Sequence, residues 1–433
     1  VAAVLLAVGM TACEDDSPDP APDPARTFKV HIGEGNIVEL DMEAPDCYPA
    51  MYMAVLVMED LPADEKIIYM GGVYSTENPE PDIDDCALIY DYSEYDVMQD
   101  WDWEKEPLYY RCMYLFHPVP GKTYYVRGYV QTDKGEYYSN TIEVKSSCSA
   151  PVAENPDAYD IPVVFHLFPD AEGNYPVKDW MVKEQIDYAN CVYGNYFNIP
   201  GQTETGVRFT AATHTPDGTP LETPGIVYEK EAVEIDYKNP ELDDKYVWDN
   251  EYALNVWVCP IKNTGEIDTQ YSILGGFAFF PYFDADEALE GCTEPYEPGL
   301  DTGIFLNAVA LIQANAGVTF AHEAGHFLGL EHVFAPGDDF CADTPWYDYA
   351  AHWASIEDAE LNIVRISGTG QKFISDNIMD YEYGFMTGIT PNQRERIQYT
   401  LQHAYLIPGP AGKEMPGVRS SGKARRFGKK PVR

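Results

Sequence analysis

Eleven residues, His322 to His332, constrain this chain more than any other stretch. They read His322-Glu323-Ala324-Gly325-His326-Phe327-Leu328-Gly329-Leu330-Glu331-His332. On a helix, positions four apart lie on one face, so His322 and His326 present two imidazoles to one point. Glu323 is rotated off that pair but stays within reach of whatever sits there. Gly329 lets the helix stop through a residue of positive φ, after which the chain can swing His332 back. The five fixed residues arise in this order by chance in roughly a few of 10^5 chains of such composition. Core histidines on an apolar helix are the weaker reading.

Three converging imidazoles suit one zinc ion. Three protein ligands leave a fourth position for water, which marks a catalytic site rather than a structural one. Zinc lowers the pKa of such a water to about 7, and Glu323 is placed to act as general base toward a peptide carbonyl. Downstream stands Asn377-Ile378-Met379-Asp380-Tyr381. Met379 is expected as the hydrophobic floor beneath the metal, in a Met-turn. Tyr381, two residues on, is expected to lean toward the metal and hydrogen-bond the developing oxyanion. The long histidine motif followed by such a turn resembles the metzincin signature. That resemblance implies an α/β catalytic domain and zinc-dependent endopeptidase activity.

With 433 residues, the chain is long enough for two or three domains. Its formal net charge of −44 argues against a nucleic-acid partner, which would need clustered Lys and Arg. Val1 to Met10 is an apolar run, too short to span a bilayer, and reads as the hydrophobic part of a secretion signal. Met10-Thr11-Ala12-Cys13 resembles a bacterial lipobox, with Cys13 as the lipidated residue; an ordinary signal with an unmodified Cys13 is the alternative. Residues 1–13 are thus expected as a signal and 14–26, acidic and Pro-rich, as a tether. An acidic stretch in that place resembles surface-export signals of Bacteroidetes lipoproteins. The expected location is extracytoplasmic, lipid-anchored to the outer membrane and surface-exposed, with the anchor as the membrane contact.

Residues 27–148 read as an all-β module. Phe28 to Ile32 and Ile37 to Met42 alternate, Met51 to Met58 is apolar, and Gly121 to Val144 holds two alternating runs around Asp133-Lys134-Gly135, a hairpin pattern. This last stretch resembles the final strands of fibronectin type III-like modules of bacterial surface proteins, which implies a β-sandwich with a spacer or adhesive role. Residues 77–106 are acidic and fit no pattern. A linker is expected over 149–160.

The segment 161–408 changes to strands alternating with helices: 161–168, a helix over 177–192, then strands at 207–211, 254–258, 275–280 and 303–307, and a helix over 315–328. This order indicates an α/β layer with a mostly parallel sheet. Within the metzincins, the chain resembles the pappalysin/cytophagalysin family over about residues 160–405. The matching stretches are IPVVFHLF, LNVWVCPI, GGFAFFP, HEAGHFLGLEHVF, CADTP, NIMDY and TPNQRERI. The resemblance implies a five-stranded sheet with an antiparallel edge strand at Gly275–Phe280, along which a protein or peptide substrate would lie. Members that favour basic residues after the cut carry an acid just beyond the Met-turn tyrosine. Here Glu382-Tyr383-Gly384-Phe385 follows, which puts that preference in doubt.

Nine cysteines are present. Beyond Cys13 they divide evenly about residue 150: Cys47, Cys86, Cys112 and Cys148, then Cys191, Cys259, Cys292 and Cys341. An exported chain permits disulfides within each half, and the family comparison makes Cys292–Cys341 a candidate pair. Family members also bind calcium after the zinc motif. Asp338, Asp339, Asp343 and Thr344 are therefore a candidate Ca²⁺ site, with solvated carboxylates as the alternative. Some relatives keep an upstream Cys on the zinc until activation; Cys148 occupies such a place, although a disulfide role suits it better.

The tail 409–433 carries eight Lys or Arg and one Glu and is expected to be disordered. The chain thus reads as multidomain: signal, tether, β-sandwich, linker, metzincin domain and basic tail. Two other readings stay open, a binding or adhesin lipoprotein on a peptidase scaffold, and a zinc peptidase whose third ligand is a downstream Glu rather than His332.

Overall fold

The computed structural model describes residues 28–32, 36–37, 52–62, 64–92, 107–115, 117–145, 155, 157–262, 274–313, 317–354, 364–381, 384–409, 426–427 and 431–432. The signal, Cys13, the tether, Cys47, Cys148, Glu382 and Tyr383 lie outside the described residues, as does the Cys112 side chain. No helix among the described residues is long and apolar enough to cross a membrane.

The first part contains nine strands: β1 (Lys29–Ile32), β2 (Asn36–Ile37), β3 (Tyr52–Glu59), β4 (Ile67–Ser75), β5 (Cys86–Asp91), β6 (Leu108–Leu115), β7 (Thr123–Thr132), β8 (Gly135–Tyr138) and β9 (Ile142–Lys145). They form two antiparallel sheets. In one, β1, β2 and β6 all pair with β3; in the other the order is β5-β4-β7-β8, with β9 also on β7. Leu56 and Met58 of the first sheet share a core with Met70 and Val130 of the second. The expected hairpin is present, its turn at Asp133-Lys134. Strand β5 lies in the acidic stretch that showed no pattern; its place against β4, not its own alternation, makes it a strand.

The second part follows as β10 (Tyr159–Leu167), α1 (Asp179–Tyr193), β11 (Val207–Ala211), β12 (Ile226–Tyr228), β13 (Ile235–Asp236), β14 (Leu254–Cys259), β15 (Ile261–Lys262), β16 (Gly276–Phe279), β17 (Leu300–Asp301), β18 (Ile304–Asn307), α2 (Ala308–Gln313), α3 (Gly317–Phe327), α4 (Tyr349–Ala354), β19 (Val364–Ile366), β20 (Lys372–Ile374), α5 (Pro391–His403), β21 (Arg426–Phe427) and β22 (Pro431–Val432). Its main sheet has the order β11-β10-β14-β18-β16-β22, with β12 beside β10. Strands β11, β10, β14 and β18 are parallel, and β16 is antiparallel to β18. Every residue of β14 is buried, as a central parallel strand covered on both faces requires.

Helix α1 buries residues on more than one side, among them Trp180, Met181, Glu184, Tyr188 and Val192. One side meets α3, where Tyr193 donates its hydroxyl to the Ala321 carbonyl at 3.1 Å. Another meets the β-module. Tyr74 of β4 packs edge-on against Trp180 at 5.9 Å, and Lys122 pairs with Asp187 at 2.8 Å. The Cys86 thiol donates to the Leu311 carbonyl at 3.7 Å. The two parts thus share one hydrophobic core, which differs from a module strung on a linker as an independent spacer.

Two short pieces of the basic tail pair as strands among the described residues. Strand β21 pairs in parallel with β17, and β22 pairs antiparallel with β16.

Candidate active site

Helix α3 ends where the motif requires. Gly329 has φ of +90°, the Leu330 amide donates to the Gly325 carbonyl at 2.9 Å, and the Gly329 amide donates to the His326 carbonyl at 2.9 Å. These two bonds form a Schellman cap. The cap turns the chain so that His332 returns to the helix. Helix α5 supports the turn from behind: Arg396 Nη2 donates to the Gly329 carbonyl at 2.8 Å. The start of α5 is fixed by a capping box of Thr390 and Gln393, with Pro391 in its first turn.

The three imidazoles converge. His332 Nε2 lies 3.1 Å from His322 Nε2 and 3.0 Å from His326 Nε2. His322 Nδ1 lies 2.7 Å from the Ile378 carbonyl, and His326 Nδ1 lies 2.7 Å from the Leu330 carbonyl. A carbonyl can only accept, so both Nδ1 atoms carry the proton and both Nε2 atoms point lone pairs inward. Burial holds His322 down to about 4 and His326 well below the usual imidazole range, so both rings stay neutral. Two inward lone pairs, with the His332 nitrogen about 3 Å from each, suit a shared cation. Tetrahedral zinc with bonds of about 2.0–2.1 Å would set such nitrogens roughly 3.3 Å apart, close to the spacing found. Glu323 Oε2, buried beside them, has no hydrogen-bond partner, and burial drives its carboxyl well above the usual range. The donor set and this unpartnered oxygen fit a divalent zinc ion; a dication alongside would favour the ionised carboxylate.

Met379 packs directly beneath α3. A β-carbon on Gly325 would come within 2.2 Å of Met379 Sδ, so only glycine leaves the sulfur room. The turn is held by Asn377, whose Oδ1 accepts from the Met379 amide at 2.9 Å. Tyr381 comes back over the histidines, its ring centroid 4.7 Å from that of His332 and 5.8 Å from that of His322. All six expected residues, His322, Glu323, His326, His332, Met379 and Tyr381, therefore share one place.

Strand β16, which lies between β18 and β22, borders the site. A β-carbon at Gly276 would lie 3.2 Å from Glu323 Cγ, and the Phe280 ring stands 5.9 Å from His326. Strand β16 thus runs alongside both.

Two further expectations concern the loop after the triad. The candidate calcium ligands turn their carboxylates to protein donors. Asp343 accepts from Thr390 Oγ1 at 2.7 Å and from the Asn392 amide at 2.9 Å. Asp339 accepts from the Cys341 amide and from Thr344 Oγ1, and Asp338 accepts from the Phe340 amide. Among the described residues, the histidine triad is the only cluster of three or more His, Cys, Asp or Glu able to hold a metal. Cys292 and Cys341 are free buried thiols rather than a disulfide, and burial pushes each up to about 12.

Sequence reading missed the packing around the triad. Phe334 stacks on His332 at 4.8 Å, and Tyr349 stacks on Phe334 at 4.6 Å. Asp380 and Arg365 form a buried pair behind Tyr381. An acid flanked by Met379 and Tyr381 signals a buried carboxylate; Arg365 carries no local signal.

Residues 236–402 match the peptidase M43 family model, described as pregnancy-associated plasma protein-A. The match supports a metallopeptidase. Proteins named extracellular metalloprotease from Arthroderma benhamiae and Trichophyton verrucosum are each 30% identical over 156 residues, covering 34% of this chain and 49% of the relative. This chain therefore spans about half the length of the curated relatives it matches. A solved structure of mirolysin in complex with a small compound is 20% identical, with a TM-score of 0.38, over 56% of this chain and 91% of that chain. Tannerella forsythia mature mirolysin in complex with a cleaved peptide is 20% identical, with a TM-score of 0.37, over 56% and 92%.

Proposed function

We propose that this protein is a zinc-dependent endopeptidase of the metzincin type, acting on extracellular proteins or peptides. The observation that carries the reading is the convergence of three Nε2 atoms, beside the unpartnered Oε2 of Glu323. His322, His326 and His332 would hold one zinc ion. When bound, zinc supplies a Lewis acid that acidifies water and polarises the scissile carbonyl. Glu323 takes a proton from the attacking water and hands it to the leaving amide nitrogen. The Tyr381 hydroxyl donates to the carbonyl oxygen as it gains charge. Met379 supports the triad from below, and β16 aligns the peptide.

The extracellular setting rests on the name of the fungal relatives and on the signal-like opening of the chain. Lipidation at Cys13, with anchoring at the outer-membrane surface, belongs to the same proposal. So does a fibronectin type III-like sandwich over 27–148, supported by two antiparallel sheets sharing a core.

The test is cleavage of a mixed peptide library by the full chain and by Glu323→Gln, with zinc content recorded for both. Cutting by the unaltered chain alone, with about one zinc in each, is the expected result. Equal cutting by both would remove Glu323 from its role, and absence of zinc from both would remove the metal site.

A further inference from the structure

Strand β16 is four residues long and has two edges. Its inner edge pairs with β18. Its outer edge is taken by the chain's own basic tail, with Phe279 opposite Pro431 and Ala278 opposite Val432, antiparallel. A second piece of the tail, β21, is held separately against β17. The tail is thus attached at two points, and its backbone runs from Phe279 toward Gly276, the residue beside Glu323.

A peptide adding to the outer edge of β16 needs the same N–H and C=O groups that β22 engages. The two cannot be there together. We propose that the tail segment around Pro431–Val432 is an intramolecular competitor for substrate, a strand that occupies the outer edge of β16 and must leave before a peptide is cut. The proposal rests on reading the site as a peptidase.

The energetics suit a displaceable occupant. Two residue pairs make a weak strand, and Pro431 has no ladder donor, a residue tolerated only at sheet edges. Such a segment would hardly bind as a free peptide. Tethering changes this: a linked segment meets its site at an effective concentration on the order of mM. Charge adds to it. Eight Lys or Arg fall in the last 25 residues of a chain whose net charge is −44, and their attraction to the acidic body weakens with salt.

The experiment measures docking and catalysis separately. Amide exchange over residues 274–280 is compared between the full chain and a chain ending at Gly409, both carrying Glu323→Gln so that neither digests itself. A full-length variant with residues 426–433 replaced by Gly and Ser guards against a shortened chain that folds poorly. Exchange about tenfold faster in both altered chains is expected. With Glu323 intact, both should cut a reporter peptide with a several-fold lower KM and little change in kcat. A synthetic peptide of residues 424–433 should inhibit the shortened chain competitively, near millimolar concentration. Equal exchange over 274–280 in all chains would overturn the proposal whatever the activity. Faster exchange without cleavage by any chain would leave the docking standing and sink the peptidase reading instead.

Discussion

Arg365 Nε lies 3.4 Å from the Asp380 carboxylate, and both side chains are almost wholly removed from solvent. Asp380 also accepts from the Tyr347 hydroxyl at 2.5 Å, from Ser375 Oγ and from the Tyr381 amide at 2.7 Å. The pair therefore sits directly behind the residue that leans over the histidines. Burial pushes Asp380 up, and the Arg365 guanidinium opposes that shift. Removing one partner of such a pair leaves a desolvated charge and costs about 3–5 kcal/mol. Arg365→Met should show this loss in urea unfolding, together with reduced peptide cleavage. A loss below about 1 kcal/mol would mean that water or another cation reaches Asp380.

Gly329→Ala tests the turn that delivers His332. A residue with φ of +90° is strained for alanine, and the new β-carbon would meet Thr400 Oγ1 at 2.8 Å. The turn should open rather than the helix shift, because Arg396 and α5 hold its far side. The expected result is stability lower by about 1–2 kcal/mol and zinc affinity at least tenfold weaker, read by competition with a chelator. Unchanged zinc affinity would show that His332 does not depend on this cap.

Glu184 gives stability a pH dependence of known sign. It lies buried on α1 facing the β-module, and burial raises its pKa from 4.5 to about 7 against the pull of Tyr124 and Lys122. The folded state binds this proton more tightly than the unfolded chain does. Its stabilising contribution is therefore fully present below about pH 4.5 and is lost as pH rises through about 7. Glu184→Gln keeps the shape and cannot ionise. Relative to the variant, the unaltered protein should lose up to roughly 3 kcal/mol between pH 4.5 and 8. Parallel unfolding curves at both pH values would show that Glu184 reaches solvent.

What the sequence made legible were features encoded within short spans. The triad depends on residues four and ten apart around one glycine, so its geometry could be read before any fold was known. Strands β10, β14 and β18 announced themselves as apolar runs, because parallel strands are buried on both faces. The rest depends on contacts between distant segments. Whether Asp343 faces a cation or an amide is decided by where α5 begins, 47 residues later. Arg365 and Asp380 meet through the folding of β19 and β20 behind the Met379 turn. The pairing of β22 with β16 joins residues over 150 apart, and nothing in the composition of the tail marks it as a strand.

The β-module reaches into the half of the chain that holds the histidines. His117 Nε2 lies 2.9 Å from the Gly384 carbonyl, and its ring packs edge-on against Tyr188 of α1 at 5.9 Å. Burial lowers His117 to about 4, so at neutral pH the ring is uncharged and Nε2–H donates to the carbonyl. Gly384 follows three residues after Tyr381, in the loop that closes back on Ser375 through the Phe385 amide at 2.7 Å. The module therefore holds both α1 and the loop that carries Tyr381. A chain beginning at residue 155 keeps every group of the candidate site but uncovers the sides of Trp180 and Tyr188 that meet Tyr74 and His117. Each loses part of a burial contribution of about 1.5–3 kcal/mol, and such a patch invites association. That chain should be recovered aggregated or melt well below the full protein, and His117→Ala in the full chain should lower kcat with zinc retained. A shortened chain that stays monomeric, with an unchanged melting temperature and full activity, would show that the docked module is dispensable to the site.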